Sequence, residues 1–204
     1  MVMAKRGTFI CIEGIDSSGK TTQARRLVSN LCRKGFDAVY TTEPSSGKVG
    51  RLIRRYVLDR KKRVPIALEA LLFAADRVDH LETEIKPALE RGKVVVCDRY
   101  VYSTLAYQGA AGLDLKWIEL INRFTLVPDL ALFLDVPPEI LVKRLKRKRS
   151  VMETPQNQQR VREVYMRMVK DGRLVLVDGN KPVGDVSRDV LKIVLDVLER
   201  SHVL

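Results

Sequence analysis

Apolar and polar positions along the chain fall into two alternating kinds of run. "GTFICIE" (7–13), "AVYTT" (38–42), "VVVCD" (94–98), "LALFLD" (130–135) and "RLVLVDG" (173–179) are short and nearly continuous in apolar residues. Runs of that kind predict strands covered on both faces, as in a parallel sheet. Between them the spacing turns helical. Apolar residues at 24, 27, 28 and 31 predict a helix after the first strand, stopped by Gly35. Pro65 opens a longer helical pattern that reaches about Arg91, with Pro87 expected to kink or break it near its end. On the wheel of that segment Leu71, Ala74, Ala75, Val78, Leu81, Ile85 and Leu89 make the core stripe, and Phe73 falls on the opposite, polar side with Arg77 and His80. Residues 183–200 form a closing amphipathic helix. Strands alternating with helices predict an α/β domain of three layers, a five-stranded parallel sheet flanked by helices. With 204 residues the chain is expected to be a single domain, 1–204. Ligands of such sheets sit at the carboxyl ends of the strands, where Asp16, Asp98 and Asp135 fall.

The turn after the first strand carries the first candidate chemistry. "GIDSSGKTT" runs from Gly14 to Thr22, and Gly14 with Gly19-Lys20-Thr21 fits G-x-x-x-x-G-K-[ST] between a strand and a helix. A chance match in a chain of this size has odds on the order of 1% from ordinary residue frequencies. Residues Gly14, Ile15, Asp16, Ser17, Ser18, Gly19, Lys20, Thr21 and Thr22 are therefore read as an ATP-binding cradle. Its N–H groups and the start of the following helix attract phosphate. Lys20 reaches the β- and γ-phosphates, and Thr21 with Asp98 holds Mg²⁺. No guanine-reading N-K-x-D is present.

Charge and composition narrow the setting. Apolar residues make up 46% and charged residues 30%, no run approaches a membrane span, and the amino terminus lacks an apolar signal core, so a cytoplasmic protein without membrane partners is expected. Three cysteines without disulfide or metal spacing read as reduced core residues. The net charge of +12 admits nucleic acid or phosphorylated small molecules as partners. It peaks in "RKKR" (60–63) and "KRLKRKR" (143–149).

A second site is legible in "CDRYVYSTLAYQG" (97–109). Arg99 follows the metal-side Asp98 and offers a fixed fork for a phosphate. If the next segment is helical, Tyr100, Ser103 or Thr104, and Tyr107 share one face and line a pocket with hydroxyls and rings. Phe73 beside Arg77 fits either a stacked, hydrogen-bonded base or a subunit contact.

"FICIEGIDSSGKTTQ", "TEPSSGKVGRLIR", "LLFAADR", "VVVCDRYVYSTLAYQG", "PDLALFLDVPPE" and "VDGNKPVGDV" resemble, in order, the diagnostic blocks of the thymidylate kinase family over nearly the whole chain. The resemblance implies a P-loop kinase fold, a homodimer, and transfer of the γ-phosphoryl group of Mg·ATP to dTMP, giving dTDP and ADP. It implies that Asp16 contacts the acceptor, that Phe73 stacks on thymine and Arg77 bonds a ring carbonyl. Arg99 would then clamp the acceptor phosphate, with Tyr107 crowding the sugar's 2′ position and Glu43, Arg54, Ser103 and Gln108 completing the pocket. Lys20 and Arg99 are the expected catalytic residues. The phosphate loop has no basic residue at 16–18, so the family's further arginine is expected from a lid at about 147–156, with Arg147 and Arg149 the candidates. Ser45-Ser46 replaces the family's Gly pair, and Lys48, Arg51 or Arg54 could grip the acceptor phosphate there. The alternatives are a kinase for another monophosphate such as dUMP or CMP, and a P-loop ATPase switch that binds nucleic acid. The leading reading expects no nucleic-acid partner.

Overall fold

The computed structural model describes residues 6–58, 64–144 and 154–202. Five strands, β1 (Phe9–Gly14), β2 (Ala38–Thr42), β3 (Val94–Asp98), β4 (Leu130–Asp135) and β5 (Val175–Asp178), form one sheet in the order β2-β3-β1-β4-β5. Every pairing is parallel. The three central strands are buried on both faces, which is why they read as continuous apolar runs, whereas edge strand β5 exposes Val175 and Leu176.

Side-chain alternation sorts the strands onto two cores. Phe9, Cys11, Val95, Cys97, Ala131 and Phe133 face one side, beneath α5 (Val101–Ala110) and α8 (Pro155–Lys170). Ile10, Ile12, Val94, Val96, Leu130, Leu132 and Leu134 face the other, beneath α1 (Lys20–Arg33) and α9 (Val183–His202). The expected three-layer α/β architecture is therefore present. Cys11 and Cys97 are buried free thiols as expected, but Cys32 is exposed on α1.

The remaining helices are α2 (Lys48–Tyr56), α3 (Ile66–His80), α4 (Lys86–Glu90), α6 (Leu115–Ile121) and α7 (Pro138–Arg144). A π-helical turn, Leu81–Ile85, joins α3 to α4, so the long helical segment is continuous and is interrupted just before Pro87, which lacks the N–H a regular helix would use. One orientation differs from expectation. Ala74, Leu81, Ile85 and Leu89 are buried, but Leu71, Ala75 and Val78 face solvent, and α3 turns Asp76, Arg77 and His80 inward. The buried polar face outcompetes the apolar one because every member finds hydrogen-bond partners inside.

Candidate active site

Parallel pairing places the carboxyl ends of β1 to β4 along one edge, with Thr42 and Ile12 both in register with Asp98 and Gly14 with Leu134. The phosphate loop leaves β1 there. Ser17 (φ 68°) and Gly19 (φ 94°) are left-handed, a conformation from which successive N–H groups converge on an anion. Gly14 is required by crowding: a Cβ would lie 2.6 Å from Ser18 Oγ and 3.0 Å from the Leu134 carbonyl oxygen.

Lys20 opens α1 and is buried, its Nζ donating to the Ile15 carbonyl at 2.7 Å. Burial first, and the neighbouring Arg99 cation second, bring its pKa down from 10.5 to about 8. Thr21 Oγ1 donates to Asp98 Oδ2 at 2.5 Å across 77 residues of sequence. Asp98 Oδ1 and Ser18 Oγ are buried and have no partner among the described residues. The free Asp98 oxygen, on a carboxylate that also holds the Thr21 hydroxyl, suits a hard divalent cation. No group of three His, Cys, Asp or Glu side chains able to hold a metal exists among the described residues, so a cation bound here would complete its shell with other oxygens, such as water or phosphate.

Arg99 lies just past the end of β3, against the phosphate loop. Its backbone is left-handed (φ 73°), uncommon for a non-glycine residue and characteristic of functional positions. Its guanidinium pairs with the Asp16 carboxylate, donates to Ser103 Oγ at 3.0 Å and lies over the Tyr107 ring at 5.2 Å. Burial works against the Arg99 charge, but the Tyr107 and Asp16 oxygens hold its pKa well above the ordinary arginine value. Asp16 is shifted reciprocally: burial opposes its charge, yet Arg99 and Lys20 hold its carboxyl below the usual range. Tyr107 accepts from the Asp16 N–H at 3.0 Å, so α5 and the phosphate loop meet at one point.

Arg77, only 1% exposed, organises the floor. Its Nε donates to Glu43 Oε2 at 2.9 Å, Nη1 to Asn122 Oδ1 at 2.5 Å and Nη2 to Thr104 Oγ1 at 3.1 Å. His80 joins through Thr41 Oγ1 at 2.7 Å and Glu43 Oε1 at 3.4 Å. Phe73, one helical turn before Arg77, is half-buried against Ile53 and Val57 of the α2 segment. Gln108 donates to Glu69 of α3 at 2.9 Å. Arg54 donates to the Ser45 carbonyl at 2.5 Å and also to that of Pro44, and Arg51 donates to the Ser46 carbonyl at 2.6 Å, so both brace the 43–46 turn. Asp76 holds the same turn from beneath through the Ser45 N–H at 2.7 Å and Ser45 Oγ at 2.6 Å. Ser45 thereby gains a buried hydrogen-bonding role of its own.

Several participants escaped the sequence reading. Glu13 looked like the end of a strand, and Asn122, Asp76 and Tyr165 were not singled out. Thr104 rather than Ser103 reaches Arg77. Arg162 on α8 makes a two-pronged pair with Asp135, both bonds 2.7 Å, fixing α8 over the end of β4. Helical spacing in "QNQQRVREVYMRMVK" was the available signal for α8. Arg147 and Arg149 lie outside the described residues, as does most of the expected lid.

A parallel sheet whose first turn has the backbone form of a phosphate loop, with an arginine at the neighbouring strand end paired to that loop, is the arrangement of a P-loop nucleotide kinase. Comparison with known proteins narrows the class. The family model for thymidylate kinase matches residues 12–190. A "Probable thymidylate kinase" of Pyrococcus abyssi is 44% identical over 199 residues, covering 93% of this chain and 96% of its own. A "Probable thymidylate kinase" of Pyrococcus horikoshii is 41% identical over 197 residues, with 93% and 96% covered. The "Thymidylate kinase" of Caldanaerobacter subterraneus is 37% identical over 207 residues, spanning 97% of this chain and 100% of its own. The chain belongs to the thymidylate kinase family.

Proposed function

We infer that the protein transfers the γ-phosphoryl group of ATP to dTMP, producing dTDP and ADP. The observation that carries the acceptor half is Arg99, held in a strained backbone conformation with its guanidinium at the mouth of the phosphate loop, on Asp16. An acceptor phosphate would take the place that the Asp16 carboxylate holds beside Arg99. Lys20 and the loop N–H groups would hold the β- and γ-phosphates. An acceptor-phosphate oxygen, already an anion, then forms the new P–O bond as the bond from the γ-phosphorus to the β,γ-bridging oxygen breaks, and ADP leaves without a general base. Thr21 and Asp98 fit Mg²⁺, which when bound supplies charge neutralisation across the transferring phosphates. Phe73 and Arg77 would read the base, with Glu43, Thr104 and Asn122 fixing the arginine, while Tyr107 would disfavour a 2′-hydroxyl. Ser103 and Gln108 border the same pocket, and Arg54 supports its 43–46 turn.

In this reading 1–204 is one kinase domain with a lid at about 147–156, where Arg147 or Arg149 meets the transferring phosphates. Its working form is a cytoplasmic homodimer. The exposed Leu68, Leu71 and Val78 on the outer face of α3 support such an interface, since three apolar side chains on one helix face solvent in the isolated chain. No helix among the described residues is long and apolar enough to cross a membrane.

The test is ADP release from Mg·ATP, measured in parallel with dTMP, dUMP, UMP, CMP and thymidine. Strong preference for dTMP is expected. Equal turnover of the monophosphates would overturn the base and sugar assignments, and acceptor-independent ADP release would favour an ATPase switch. Arg99→Ala should lose ~10²-fold or more in kcat/KM for dTMP, because the lost contact serves both bound acceptor and developing charge.

A further inference from the structure

Glu13 is the one fully buried acid of β1, and nothing in the phosphoryl transfer described above uses it. Four donors converge on its carboxylate. Oε1 accepts from the Tyr100 N–H at 2.8 Å and the Ser103 N–H at 3.2 Å. Oε2 accepts from Ser103 Oγ at 2.6 Å and the Tyr165 hydroxyl at 2.8 Å. A side chain facing only donors must be an acceptor at every position, which a carboxylate is and an amide is not. Satisfying two N–H groups at the start of α5, it caps that helix from a neighbouring strand.

We propose that Glu13 is a positioning residue for the acceptor clamp, fixing both the backbone and the guanidinium of Arg99. The proposal rests on the reading of Arg99 as the group that binds the acceptor phosphate. Two separate links lead from the carboxylate to that arginine. Along the backbone, the Arg99 N–H is bonded to the Ile12 carbonyl at 3.1 Å, and the next N–H, that of Tyr100, is bonded to Glu13. The left-handed residue is thus pinned on both sides by consecutive residues of β1. Along the side chain, the Ser103 hydroxyl directs its single proton to Glu13, leaving its lone pairs for Arg99 Nη1 at 3.0 Å. Tyr165 likewise donates to Glu13, and its ring stacks on Phe133 at 4.6 Å, so the carboxylate is held from α8 and cannot swing toward Arg99. Glu13 therefore sets the pose of the clamp without touching substrate.

A double-mutant cycle in dTMP turnover tests this, with thermal melting and the KM for ATP as parallel readouts. Ser103→Ala should lower kcat/KM for dTMP about tenfold, the worth of one hydrogen bond to a charged group, with the KM for ATP within about twofold of wild type. Glu13→Gln, which puts an NH₂ against donors, should lose about 10²-fold in the same parameter. Made in an Arg99→Ala background, each should cost no more than about twofold, because the group they act through is gone. Equal losses in both backgrounds would overturn the proposal, since a merely structural role does not depend on Arg99. If Glu13→Gln does not fold, Glu13→Asp, which keeps the carboxylate but shortens its reach by one methylene, takes its place in the cycle: equal losses in both backgrounds refute the link, and loss of the effect without Arg99 supports it. Wild-type turnover by Arg99→Ala itself would instead refute the assignment of Arg99, a result distinct from failure of the cycle.

Discussion

Lys20 gives the most direct test of the phosphate cradle, and pH is the perturbation. In the free protein its ammonium is buried, bonded to a single carbonyl, and titrates at about 8 rather than 10.5. A bound triphosphate surrounds it with negative charge and restores the ordinary value or higher. Nucleotide binding must then draw a proton from solvent in proportion to the neutral fraction of the free protein. That fraction is about 0.1 at pH 7, about 0.5 at pH 8 and about 0.9 at pH 9 for a group of pKa about 8. The same linkage weakens apparent Mg·ATP affinity about tenfold between pH 7 and pH 9, roughly 1.4 kcal/mol. Calorimetric titration with Mg·ATP, without acceptor, in buffers of different ionisation heat measures the uptake directly. Lys20→Arg, charged throughout this window, should show none. Uptake near zero at pH 8 and 9, with affinity flat in pH, would refute the burial argument and mean that Lys20 is fully charged before nucleotide arrives. Stability moves the opposite way with pH. The unfolded chain binds the extra proton between pH about 8 and 10.5, so the cost of burying the charged lysine is fully present below pH about 8 and is relieved as pH rises through that window.

Two further outcomes follow from packing. Gly50→Ala should destabilise by about 2–4 kcal/mol despite better helix propensity, because the new Cβ would lie 2.0 Å from the Ser45 carbonyl oxygen. Melting should fall by roughly 5–15 °C, with KM for dTMP rising more than KM for ATP; an unchanged melt would mean that the turn yields freely. Leu71→Asp and Val78→Asp, at residues 46% and 37% exposed, should convert dimers to monomers in light scattering without unfolding the chain. A wild-type monomer, or dimers that survive both changes, would remove α3 from the interface.

The phosphate loop was legible in the sequence because it is local: two glycines, a lysine and a threonine within eight positions suffice to turn the backbone, and no distant residue is needed. The strands were legible for a similar reason. Burial on both faces leaves β1, β3 and β4 as unbroken apolar runs, and these three with β2 and the exposed edge strand β5, alternating with helices, admit few arrangements. Helical spacing puts Ser103 or Thr104 and Tyr107 on one face with Tyr100, but that Arg99 lies over the Tyr107 ring appears only in the fold. Orientation was a different matter. Periodicity marks two faces of α3 but carries no sign, and the expectation that the apolar one turns inward failed because Glu43, Thr104 and Asn122 stand ready to satisfy Arg77 inside. Those partners come from just past β2, from α5 and from just past α6, and only their convergence makes a buried guanidinium cheaper than a buried leucine face. Glu13 and Tyr165 lie 152 residues apart, Thr21 and Asp98 77 apart. Single residues at such separations leave no local pattern, because the hydrogen bond between them exists only once the sheet has aligned its strand ends and the helices have closed over it. The sequence by itself thus determined which elements form and where the phosphate loop lies. Tertiary structure decided which faces meet, and through them how Arg99 is aimed.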